Sequence, residues 1–296
     1  MQKNRNYYRI AGLTMEVIWE NLSRKFLYQL AHDCSVMPRA MAAYEMLEEE
    51  PEQVDLSVRV RSIAPFTASA PGKRLGQEIC YEEKDCFCLA FFLDFEHSEP
   101  GCSLRMSKDY AYAELIPHRL EGETFDLYRV QYAFECRMLQ LGNLVVHGAA
   151  VEYQGKGIIF SGLSGAGKTT QAHLWKKCRN ALILNGDCPA IRQDQGQILV
   201  CGTPWCGTSG EQIDRQVPLK AFVMVKQAGE NRVRELVGRE KFMTVLSQIF
   251  RSNTDGNTLD LAIANLERMI DGFQVYELCC TKDSQAVEVL ERELFF

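Results

Sequence analysis

The chain has 296 residues, 46% of them hydrophobic and 24% charged, with a formal net charge of −6. This is ordinary globular usage for one large or two modest domains, and it excludes low-complexity and disordered classes. The longest uninterrupted apolar run, residues 86–93, falls far short of the roughly 20 residues a membrane helix needs, and no basic run provides the electrostatic footprint of a nucleic-acid partner.

The N-terminus is basic, but neither an apolar stretch nor a small-residue cleavage site follows it. A cytoplasmic protein with no membrane and no nucleic acid as partner is expected. The 12 cysteines are scattered without C-x-x-C pairs and read as buried thiols rather than a disulfide framework or a zinc site.

In chain order, periodicity predicts strands at 7–10, 54–63, 86–92 and 110–115, and helices around 19–30 and 38–50. Residues 1–120 therefore read as an α+β accessory or substrate-recognition domain. Residues 117–123 look like a connection. Thr124 then caps a helix whose apolar residues Leu127, Val130, Phe134, Met138 and Leu141 recur every three or four positions, and which ends at Gly142. Strands at 144–151 and 157–160 follow, joined by a tight turn at Gln154-Gly155.

From here the chain carries chemistry. Gly162-Leu-Ser-Gly-Ala-Gly-Lys-Thr169 matches G-x-x-x-x-G-K-[ST] in full, after an apolar run and before a helix-forming stretch without Gly or Pro. A chance match in a chain of this length is on the order of 0.01, so the motif carries the functional reading. Glycines let successive backbone N–H groups turn inward around phosphate oxygens, and the following helix aims its positive end at the same charge. The candidate binding residues are Gly162, Ser164, Gly165, Ala166, Gly167, Lys168, Thr169 and Thr170. Lys168 suits the β- and γ-phosphates, and the Thr169 hydroxyl suits Mg²⁺.

A buried strand at 181–184 delivers Asp187 to the carboxyl edge, only 18 residues after Thr169, where open α/β sheets place ligands. Asp187 is a candidate for Mg²⁺ coordination or for accepting a proton, although Asn-Gly-Asp-Cys-Pro also suits an Asx turn. His147 could reach the same edge, while a lone histidine on an apolar strand is ordinarily a satisfied core residue. The Gly- and Pro-rich loop 202–211 reads either as a lid or substrate loop or as a turn with Trp205 packed beneath it, and Glu211 is a further candidate contact. A strand at 221–225, helices at 240–250 and 258–270, a strand at 274–280 and a helix at 284–294 read as scaffold. Lys226, Asn231 and Arg232 follow a strand end and are candidates for substrate or nucleotide contacts, although surface charge is the preferred reading.

His147-Gly-Ala-Ala-Val, the turn at Gly155, residues 162–170, Asn185-Gly-Asp187 and Gly202-Thr-Pro-Trp205 resemble, in order and spacing, the catalytic domain of the HPr serine kinase/phosphorylase-like family. The resemblance covers roughly residues 124–225. It implies an α/β fold like the nucleotide domain of phosphoenolpyruvate carboxykinase, a P-loop domain with a mixed sheet over residues 121–296. It also implies ATP and Mg²⁺, with transfer of phosphate to a serine-type hydroxyl of a peptide, protein or small molecule. On the matching positions, Lys168 and Thr169 would hold nucleotide and metal, Asp187 would accept a proton or ligate the metal, and His147 would assist. The family carries two adjacent aspartates where this chain has Gly186-Asp187, and its downstream signature is replaced by Gly-Thr-Pro-Trp, which points away from HPr as the acceptor. A homo-oligomer is compatible with this reading. The alternatives are an ATPase switch or a nucleotide-binding recognition protein without phosphotransfer.

Overall fold

The computed structural model describes residues 5–20, 41–46, 50–61, 72–75, 78–92, 100–117, 128–252 and 256–296. The chain divides into two compact units, Met1–Gln140 with Ser252–Thr258, and Leu141–Arg251 with Leu259–Phe296. Among the described residues there are two mixed sheets and five α-helices, and no helix is long and apolar enough to cross a membrane.

The first unit is built on an eight-stranded sheet: β1 (Arg5–Ile10), β2 (Leu13–Glu20), β3 (Leu56–Arg61), β4 (Lys73–Leu75), β5 (Glu78–Glu82), β6 (Cys86–Phe91), β7 (Cys102–Ser107) and β8 (Tyr112–Pro117), in the order β1-β2-β3-β8-β7-β6-β5-β4. The predicted strands at 7–10, 54–63, 86–92 and 110–115 all appear within it. The helix expected at 19–30 does not begin at its predicted start, because Trp19 and Glu20 close β2. Six consecutive residues of that strand are buried, so it shows none of the period-two alternation that identifies a half-exposed strand. The rest of that helix, residues 38–40 and 47–49 of the second one, Thr124 and most of the 117–123 connection lie outside the described residues.

Helix α1 (Tyr128–Gln140) ends just before Gly142, as predicted, with Gly142 at φ 84°. It lies against β3 and β8 and so belongs with the first unit, although the sequence groups it with the second. Its residues Val130, Ala133, Phe134, Met138 and Leu139 are buried.

The second unit has nine strands: β9 (Leu144–Val145), β10 (Ala149–Tyr153), β11 (Lys156–Ser161), β12 (Leu182–Asn185), β13 (Ala190–Asp194), β14 (Gln197–Cys201), β15 (Gln216–Gln227), β16 (Arg232–Glu235) and β17 (Gln274–Cys280). Its helices are α2 (Lys168–Arg179), α3 (Gly238–Leu246), α4 (Gly256–Met269), which starts in the first unit, and α5 (Ser284–Phe295). The 12-residue β15 organises the sheet. Its first residues pair with β14, and the remainder runs parallel to β11 on one side and β17 on the other. Three hairpins, at Ala11-Gly12, Gln154-Gly155 and Gln195-Gly196, turn through two residues with both φ values positive, the geometry that matches strand twist.

The core of this unit lies between the sheet and helices α2 and α5. Val151, Ile158, Phe160, Val223 and Leu278 face Ala172, Trp175, Val287 and Leu290, all of them essentially inaccessible. Trp175 anchors it, with ring centroids 5.4 Å from Tyr153 and 6.2 Å from Phe160. Glu291 ties the layer together by accepting from the Tyr153 hydroxyl at 2.7 Å and from Arg179 Nε at 2.8 Å. Helix α2 is the element that follows the glycine-rich loop, so this packing fixes the direction in which the loop opens. Replacing Trp175 by Ala should destabilise the chain by about 3–5 kcal/mol, read as a lowered urea midpoint. An unchanged midpoint would show that the indole does not anchor this layer.

Candidate functional site

The carboxyl edge of the second sheet assembles three segments. The first is the interruption between β9 and β10, where the sequence predicts one continuous strand. At 146–148 the backbone N–H groups leave the ladder: Val146 donates to Pro189 O, His147 to Gln248 O and Gly148 to Asp187 O, at 3.1, 2.9 and 2.7 Å. Buried N–H groups must find acceptors, and these three find them on loops distant in sequence. The break places His147 at the edge rather than within a strand. Ser161 fixes it from below by donating its hydroxyl to His147 O at 2.5 Å.

The second segment is the loop of residues 162–169 between β11 and α2, the strand, loop and helix the motif requires. Gly162 adopts φ 145°, and a Cβ there would lie 2.8 Å from Val225 O, so backbone permissiveness and close approach both demand glycine. Gln227 Nε2 donates to Gly165 O at 2.6 Å, which pins the tip of the loop to the end of β15. Lys168 Nζ donates to the carbonyls of Gly162 and Leu163 at 3.0 and 3.2 Å. Ser164, Gly165 and Thr169 are exposed, while Ala166, Gly167 and Thr170 are half-buried.

The third segment is the turn after β12. Asn185 is fully buried. Its Oδ1 accepts from the backbone N–H groups of Asp187 and Cys188 at 2.8 and 2.7 Å, and its Nδ2 faces Thr203 O, Thr203 Oγ1 and Trp205 O at 2.8 to 3.2 Å. The Asx turn that the sequence suggests is therefore made by Asn185, which leaves the Asp187 carboxylate available for other partners. His147 Nδ1 stands 3.3 Å from Asp187 Oδ1, and Cys188 Sγ donates to Asp187 Oδ2 at 3.2 Å.

Electrostatics couple the three segments. Burial, and then the Lys168 charge, push the His147 pKa below its ordinary value, with Asp187 opposing them. Burial also lowers the pKa of Lys168, again against Asp187. His147, Lys168 and Asp187 thus feel one another's charge. Because the ordinary histidine value is about 6.5, His147 is neutral at pH 7.

Two expectations for loop 202–211 resolve on its packing. Trp205 is completely buried, so it is an anchor and not a lid residue. Glu211 accepts from His173 Nε2 at 2.5 Å and Lys176 Nζ at 2.8 Å, both on α2. The loop also covers the acidic turn. A Cβ at Gly186 would meet Ser209 Oγ at 1.9 Å and Cys206 O at 3.0 Å, and a Cβ at Gly207 would fall 3.0 Å from the Asp187 side chain. There is no room for a second carboxylate at position 186. Lys226 pairs with Glu277 at 2.5 Å, and Asn231 bonds Thr281, so both serve the scaffold. The sequence reading missed Asn185, Ser161, Gln227 and Gln248. The Asn-Gly-Asp turn signature pointed to Asn185, whereas no local pattern marks the other three.

No family model matches the chain, and no curated protein matches it. Among solved structures it is similar to the HPr(Ser) kinase/phosphatase from Coxiella burnetii, with 8% identity and a TM-score of 0.29, over 50% of this chain and 95% of that one.

In a proton-NMR titration the His147 ring should change charge below the ordinary histidine value. Lys168→Gln removes a repelling charge and should raise that pKa, whereas Asp187→Asn removes an attracting one and should lower it further. Titration at the ordinary value, unmoved by either substitution, would show that the three groups are not coupled.

Proposed function

We propose that this chain is an ATP-dependent phosphotransferase that moves a phosphoryl group onto a serine-type hydroxyl of a peptide, a protein or a small molecule other than HPr. The observation that carries the reading is the convergence of His147, Asp187 and Lys168 on one edge, with His147 and Asp187 3.3 Å apart and both close to the charge of Lys168. That edge is flanked by a glycine-rich loop whose backbone is too close-packed at Gly162 for any side chain.

The residues fit a Mg²⁺-bound triphosphate. A backbone cradle with a lysine suits the phosphates. The exposed Thr169 hydroxyl and the Asp187 carboxylate are hard oxygen donors, and Mg²⁺ ordinarily takes one or two protein oxygens together with phosphate oxygens and water. When bound, the ion supplies neutralisation of phosphate charge. The chain's own groups do the rest. Lys168 exchanges its two carbonyl acceptors for phosphate oxygens. Asp187 accepts the proton of the incoming hydroxyl as the new O–P bond forms and the bond between the β-phosphate oxygen and the γ-phosphorus breaks. His147, neutral at pH 7, orients that carboxylate when its proton sits on Nδ1, and its Nε2 then remains able to take a proton onward. With Gly186 in place of a second acid, one carboxylate serves both metal and proton.

The test uses labelled ATP with serine-bearing peptides and small hydroxyl compounds as acceptors. Lys168→Ala should weaken nucleotide binding by about a hundredfold, because a charge-assisted contact to each of two phosphates is lost. Asp187→Asn should keep the nucleotide affinity within a few-fold and lower transfer by roughly 10²–10⁴. Transfer by Asp187→Asn at the wild-type rate would remove Asp187 from the mechanism, and turnover indifferent to every acceptor would favour the ATPase switch.

A further inference from the structure

At the edge of the second unit's sheet opposite the glycine-rich loop lies a cavity of about 410 Å³. It sits where the parallel strands begin. Lys156 opens β11, Gln274 opens β17 and Lys220 lies in the first half of β15, while the loop occupies the far ends of the same strands. Helix α3 adds Lys241, and the turn before β17 adds Asp271 and Phe273.

Three ammonium groups and one carboxylate leave this concavity positive in a chain whose net charge is −6. Two other lysines of the unit are paired with carboxylates, Lys176 with Glu211 at 2.8 Å and Lys226 with Glu277 at 2.5 Å. Lys156, Lys220 and Lys241 have no ion-pair partner among the described residues. A solvated lysine on a convex surface needs no explanation, but Lys220 and Lys241 are half-buried in a hollow. Lys241 is held 5.9 Å from the ring centroid of Phe273, itself 4% exposed. Gln274 and Asp271 add polar groups to the lining.

We infer that this cavity is a second ligand site, for a small polyanion. The lysines pair with its carboxylates or phosphates. The volume falls at the lower end of the range for small-molecule sites. The inference does not depend on what the glycine-rich loop binds.

Calorimetric titration of the full chain tests it, with citrate and glycerol 3-phosphate. Citrate or glycerol 3-phosphate should bind at one site per chain, the stronger of the two identifying carboxylate or phosphate as the preferred anion. That binding should survive in Lys168→Ala, which disables the other edge. The double variant Lys220→Gln/Lys241→Gln should weaken binding by about tenfold per charge removed, and Lys156→Gln, on the exposed rim, should shift it in the same direction if the double variant does not fold. Absence of heat with both anions overturns the proposal. So does affinity unchanged in the lysine variants, or binding that disappears in Lys168→Ala, which would place the anion at the loop.

Discussion

The site depends on one buried amide. Asn185 ends β12 with no solvent exposure, and both ends of its side chain are used: the oxygen by the N–H groups of the turn that carries Asp187, the nitrogen by the backbone of Thr203 and Trp205. A buried polar group satisfied in this way is rigid, because breaking any one bond leaves a desolvated partner behind. The amide therefore fixes the acidic turn and the covering loop to each other. The carbonyl of the fully buried Trp205 is one of the acceptors in this cluster, and at Gly186 the covering loop comes down where a side chain would lie.

The other half of the geometry comes from the strand break at 146–148. A strand that continued through His147 would spend its N–H groups on sheet neighbours. Here they reach Pro189, Gln248 and Asp187 instead, so the histidine is carried by backbone bonds to the same turn that Asn185 shapes. Its neutrality follows from position: half-buried and near an ammonium group, it favours the uncharged form. A neutral imidazole beside a carboxylate, next to a glycine-rich loop at a strand's carboxyl end, is the arrangement on which the proposed phosphoryl transfer rests.

Much of this was legible in the sequence where the physics is local. The strand, loop and helix around Gly162 follow from neighbouring residues, as does the left-handed turn at Gln154-Gly155, and the strand at 274–280 emerges with its predicted limits. What was not legible depends on contacts distant in the chain. β2 reads as neither period because it is buried through six successive residues. The break before β10 draws on Gln248, about a hundred residues away in sequence, and Asn185 bonds the backbone of Trp205, 20 positions further on. Glu211 looks like a free carboxylate until α2 is seen to hold it. The crowding at Gly186 is likewise invisible until the covering loop is folded onto it.

That the glycine-rich loop and the Asn185 turn form one site is tested most directly by paramagnetic relaxation. With Mn²⁺ in place of Mg²⁺ and ATP added, the ring-proton signals of His147 should broaden strongly and sharpen again when a diamagnetic ion replaces the manganese. Nucleotide bound in the presence of Mn²⁺ with the His147 signals left sharp would place the phosphates elsewhere and contradict the account.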